Sequence, residues 1–98
     1  MRGHAGATAK MQRETAEALA LQGLAFLAED AGRMRRFLEL TGLEPADVRA
    51  SADSPELLAA VLEHLSGDES LLLVFAAGHG VPPQSIAQAL ALFEGTRA

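Results

Sequence analysis

Hydrophobic positions fall along this chain in helical stripes, except in one stretch. Leu71-Leu72-Leu73-Val74-Phe75-Ala76-Ala77 is apolar on every side of a helix. Periodicity alone does not separate such a run from a buried strand. The flanks favour helix: Asp68 can cap the first free amides, Glu69 suits the positive end of the dipole, and Gly78 or Gly80 can take the left-handed position after the last turn. A helix that is apolar all round, yet much shorter than the roughly 20 residues that span a bilayer, predicts a buried centre around which the other elements wrap.

The other stripes predict five further elements. A first helix runs from about Met11 to Glu29, and Leu19, Leu21, Leu24, Phe26 and Leu27 spread over so much of its circumference that it should meet more than one neighbour. Asp30 caps a second helix, Ala31–Thr41, with Met34, Phe37, Leu38 and Leu40 as its apolar face and Gly42 as its stop. Pro45 suits the first turn of a short third helix, Pro45–Ser51, with Val48 inward. Ser54-Pro55 opens a fourth helix to Ser66, striped by Leu57, Leu58, Val61, Leu62 and Leu65. After the apolar run, Val81-Pro82-Pro83 turns the chain into a last helix, about Pro83–Glu94, with Ile86, Leu90 and Phe93 inward and Gly95 as its end. No Val/Ile/Thr-rich alternation predicts a strand. The expectation is a single all-α domain over residues 11–95, a compact bundle of five to six helices, behind a flexible N-terminal tail over residues 1–10.

A shift of 38 positions, the separation of Phe37 from Phe75, pairs Leu19 with Leu57, Leu24 with Leu62, Leu27 with Leu65, Asp30 with Asp68 and Met34 with Leu72. It also pairs Gly42 with Gly80, Leu43 with Val81, Pro45 with Pro83 and Val48 with Ile86. Caps, turn residues and core positions are what a duplicated helix–helix–short-helix unit would keep, so units over 12–51 and 54–94 are expected to pack face to face and hide Leu71–Ala77.

Composition narrows the chemistry. With no cysteine there is no disulfide, thiolate metal site or thiol nucleophile, which suits a reducing, cytoplasmic setting. Four Phe, no Trp and no Tyr leave Leu, Ala and Val to fill the core of these 98 residues. The net charge of −5 is uneven, for beyond residue 49 the only basic residue is Arg97. An acidic half repels phosphate, which disfavours nucleic acid and anionic membranes as partners. Arg2, Lys10 and Arg13 before an Ala/Leu-rich stretch faintly resemble a signal peptide, but Glu14, Glu17 and Gln22 interrupt the apolar segment and Glu29-Asp30 stand where a cleavage site would lie.

No catalytic constellation emerges. His4, His64 and His79 lie far apart in sequence, and a metal site from His64 and Asp68 would cross the break at Gly67 without a third ligand. Glu29/Asp30 and Asp68/Glu69 sit at helix boundaries, where capping explains them without acid–base chemistry. The chain is therefore expected to be no enzyme and to hold no cofactor or metal. Both glycine turns, Leu38…Gly42-Leu43…Val48 and Ala76…Gly80-Val81…Ile86, have helix-turn-helix spacing. Their second helices present Glu44 and Asp47, or Gln84, Ser85 and Gln88, with almost no Lys or Arg to neutralise phosphate.

Ala18-Leu19…Ala25-Phe26-Leu27, Phe37-Leu38-Glu39-Leu40-Thr41-Gly42-Leu43-Glu44-Pro45, Leu58-Ala59-Ala60-Val61-Leu62, Asp68-Glu69-Ser70-Leu71-Leu72-Leu73 and Pro82-Pro83 together resemble the domain of unknown function 3572 family, short proteins of alphaproteobacteria. The resemblance implies a bacterial cytosolic setting and carries over no activity. The functional expectation is a small non-enzymatic interaction or adaptor module, with an unidentified protein or a second copy as partner. A helix-turn-helix-like DNA-binding regulator is the alternative. The candidate partner-binding residues are Leu21 and Leu24 on the first helix and Arg35 and Arg36 on the second.

Overall fold

A computed structural model describes the backbone of residues 11–97 and the side chains of 11–95, so the expected tail over 1–10, with His4, lies outside the described residues. Six helices follow one another: α1 (Arg13–Ala28), α2 (Ala31–Thr41), α3 (Pro45–Ala50), α4 (Pro55–Ser66), α5 (Glu69–His79) and α6 (Gln84–Arg97). The fold is an all-α bundle with no strand among the described residues.

Local chemistry explains most boundaries. The carboxylates of Asp30 and Asp68 accept hydrogen bonds from the amides of Arg33 and Leu71 at 3.0 and 3.1 Å, and Ser54 Oγ accepts from Leu57 N at 3.1 Å. Each bond satisfies one of the first amides of a helix, which have no carbonyl partner within it. Gly42 and Gly80 close α2 and α5 at φ 76° and 66°, a left-handed conformation in which a Cβ would be strained. Thr41 Oγ1 donates back to the Phe37 carbonyl at 2.8 Å. The largest departure from the expected boundaries is at the end of α6, which runs through Gly95 to Arg97. A glycine inside a helix costs only about 1 kcal/mol, too little to end one whose other residues favour it.

The core is built by α1, α4 and α6, which pack against one another. Helix α4 is its centre, with Leu57, Leu58, Ala59, Val61, Leu62 and Leu65 all buried. On α1, Ala16, Ala20, Gly23 and Leu27 form a buried stripe of mostly small residues. Gly23 marks the crossing with α4: a Cβ there would stand 3.0 Å from both Leu65 Cδ1 and Val61 Cγ1. Ile86, Ala89 and Phe93 of α6 complete the centre. As expected, α1 meets several neighbours, since Phe26 reaches past the core to Phe75 of α5 at 5.4 Å between ring centroids.

The apolar run is not the buried centre. Only Phe75 and Ala76 of α5 are buried, while Leu73 and Val74 are 48% and 53% exposed. An all-apolar circumference permits burial on every side but does not create neighbours to supply it. Leu71–Ala77 is thus not hidden between two units.

Positions 38 apart play matching local parts. Helices α1 and α4 end at Ala28 and Ser66, α2 and α5 begin and end in step, and their caps coincide. Phe26 packs edge-on against Phe75, and His64 packs edge-on against Phe37 at 5.2 Å, so the two ring pairs exchange under the same shift. The third helices differ, six residues in α3 against fourteen in α6.

Gly23→Val should lower unfolding free energy by about 1–3 kcal/mol through overpacking against Val61 and Leu65. Gly95→Ala meets open space and should gain up to about 1 kcal/mol in helix propensity. Urea denaturation of the two variants checks both signs.

Candidate interaction surfaces

Helix α5 is fastened to the bundle along one side only. Fully buried Phe75 packs edge-on against Phe26, His79 lies against Phe75 at 4.6 Å, and the Arg33 guanidinium covers Phe26 at 4.1 Å from its centroid. The opposite side presents Ser70, Leu73, Val74 and Ala77 to solvent, with no charged residue between Glu69 and His79. Helix α2 is held in the same way, by fully buried Phe37 against His64. Its exposed residues at the positions 38 earlier are Gly32, Arg35, Arg36 and Glu39. The same outward position is therefore charged on one helix and apolar on the other.

A second surface is the valley between α2 and α4. One cleft of about 600 Å³ is lined by Leu40, Leu43, Leu57 and Ala60, with the carboxylates of Asp47, Glu56 and Glu63 around it. A neighbouring cleft of about 520 Å³ shares Leu40 and Glu63 and is bordered by Arg36, His64, Asp68 and Glu69. Leu40, expected on the inner face of its helix, is 63% exposed. At 100° per residue it lies roughly 110° from the middle of the arc set by Met34, Phe37 and Leu38, too far round to reach the core.

The four candidate partner residues do not form one patch. Leu24 packs against the core, and Leu21, 44% exposed, is rotated about 140° round α1 from Phe26 and so points away from the side that meets α5. Arg35 and Arg36 are exposed on α2, and Arg33, their neighbour in sequence, is turned onto Phe26 instead. The wide apolar surface of α1 is mostly spent on α4, α6 and Phe75.

The titratable groups serve the fold. The Asp30 carboxyl is held below its ordinary value, chiefly by the Arg33 amide that it accepts from. His64, part-buried against Phe37, is pushed below its ordinary 6.5 mainly by desolvation and also by Arg36, with Asp68 acting the other way. His64 and His79 stack on different phenylalanines, and among the described residues no three His, Asp or Glu side chains gather in a way that could hold a metal ion. Neither second helix of the two glycine turns offers a basic face. On α6, Ile86, Ala89 and Phe93 are in the core and the exposed Gln84 and Gln88 have no Lys or Arg from Gln84 to Thr96, while α3 exposes Glu44 and Asp47 beside Arg49. Among the described residues no helix is long and apolar enough to cross a membrane.

The family described as Protein of unknown function (DUF3572) matches residues 13–96. No curated protein and no solved structure matches the chain.

Because the folded state favours neutral His64, the unfolded chain takes up its proton first on acidification. Stability from this site is full above about pH 6.5 and falls as pH drops below it. The urea stability of the parent relative to that of His64→Leu should therefore fall between about pH 7 and pH 5. A constant difference across that window would contradict the burial argument.

Proposed function

Since the chain belongs to the DUF3572 family, whose description names no activity, we propose from its geometry that it is a small non-enzymatic interaction module that pairs with a second copy of itself through the outer face of α5. The carrying observation is the contrast between Leu73, Val74 and Ala77 on α5 and Arg35, Arg36 and Glu39 at the matching positions of α2. The fold tolerates charge at that place, so packing within one chain does not account for an apolar face there. Exposed apolar residues clustered on one face favour a partner that removes them from water.

A second copy fits this face. Val74 is the midpoint of Glu69–His79, so a two-fold axis beside it sets α5 antiparallel to its mate, apolar centre on apolar centre. The acidic first turn of one copy then meets the His79 end of the other. Ala77 and Gly78 let the backbones approach closely. The reading takes the chain as two related units of period 38, supported by the coincident caps and exchanged ring pairs, of which the second turned its outer face to association. A cysteine-free chain suits a reducing, cytoplasmic setting for it.

An eleven-residue helix is about 16 Å long and about 10 Å wide, so the pairing buries much less than the about 800 Å² per partner of a standard interface. The dimer should accordingly be weak. Light scattering across a dilution series should show mass falling from dimer towards monomer, and Val74→Lys, at an already exposed position, should remain monomeric throughout. A parent that is monomeric at every concentration, or a Val74→Lys variant that still dimerises, would overturn the reading.

A further inference from the structure

The valley between α2 and α4 has a chemistry of its own. It is lined by Leu40, Leu43, Leu57 and Ala60, and the charged side chains around its larger cleft are acidic, Asp47, Glu56 and Glu63, with no Lys or Arg among the described residues that line it. Its hydroxyls are already engaged, since Thr41 Oγ1 donates to the Phe37 carbonyl and Ser54 Oγ caps α4. Apolar contact and negative charge are therefore what this surface chiefly offers a ligand.

We propose that this groove binds a basic amphipathic helical segment of a partner protein, with the segment's apolar stripe laid over Leu40 and its Lys or Arg residues beside Glu56 and Asp47. Three features select this occupant. An open groove between two helices is the shape into which a third helix lays its apolar face. Leu40 is 63% exposed at the edge of the valley, and a helix seated there covers it. The surrounding carboxylates complement cationic side chains and repel phosphate, so a nucleic acid or an anionic lipid surface meets the wrong charge. Arg36 at the far end of the valley sets a direction, because an acidic residue at one end of the segment finds a cationic neighbour there.

The inference rests on the reading of the chain as an interaction module but uses none of the α5 face residues, so the two can fail separately. The test is a fluorescence-polarisation titration with a labelled peptide of about fourteen residues, built from Leu and Lys with Leu at helical spacing. Its control is the same peptide with Glu in place of Lys. The basic peptide should bind and weaken as salt is raised, and the acidic one should not bind. Leu40→Ser should weaken binding about tenfold and Glu56→Gln by a smaller factor, while both variants keep the parent's helical circular dichroism. Val74→Lys should bind at least as tightly as the parent does, whatever its oligomeric state. Absence of binding would overturn the proposal, as would equal affinity of the parent and Leu40→Ser, which would reduce the interaction to general attraction between an acidic protein and a cation. Direct binding of a labelled DNA oligonucleotide to the protein, weakened by Leu40→Ser, would overturn the assignment of a protein partner.

Discussion

The close approach of α1 to α4 at Gly23 is the contact on which the rest of the fold depends. A chain with four Phe, no Trp and no Tyr has few bulky side chains with which to fill space between helices. Backbones come together instead at Gly23, in the small-residue stripe of α1, against Val61 and Leu65. Once α1 and α4 lie this close, Ile86, Ala89 and Phe93 of α6 close the core without stranding a polar group, for no polar or charged residue is buried among the described ones.

That economy leaves α2 and α5 as outer helices, each anchored by one fully buried phenylalanine. Phe37 meets His64 and Phe75 meets Phe26, so both rings find an edge-to-face partner on the inner pair of helices. A helix anchored along one side has its other side free for selection to shape. On α2 that side carries Arg35, Arg36 and Glu39, the ordinary solvated solution, and on α5 it carries Leu73 and Val74. The contrast is informative because the two helices have the same length, the same capping residue and the same terminal glycine. Each serves as an internal control for the other.

Much of this was legible in the sequence, and the failures share a cause. Asp30, Ser54, Asp68, Gly42 and Gly80 mark helix ends through local hydrogen bonds and backbone freedom, so the limits of α2, α4 and α5 follow from neighbours in the chain. The stripe of α4 likewise identifies its buried face. What a stripe cannot reveal is how many partners arrive. The run Leu71–Ala77 reads as the most buried element and lies at the rim. Leu21 and Leu24 read as one surface, although one packs inward and the other does not. Leu40 reads as a core residue by type, although the spacing itself sets it at the edge of the arc. The groove was not legible, because Leu40, Glu56 and Glu63 come together only through the packing of α2 on α4.

The two proposed surfaces are physically joined. Glu69 borders the smaller cleft beside Arg36, and it is also the first residue of α5, at the end that meets His79 of a second copy in the antiparallel pairing. A cationic segment reaching that end of the valley draws on the same carboxylate that the pairing uses. Linkage then fixes the sign in both directions: a segment that engages Glu69 weakens pairing by the factor by which pairing weakens the segment. A segment confined to the larger cleft, around Leu43, Leu57 and Ala60, leaves Glu69 untouched and the two events independent. The extent of valley that a partner covers thus decides whether this domain joins two partners at once or exchanges one for the other.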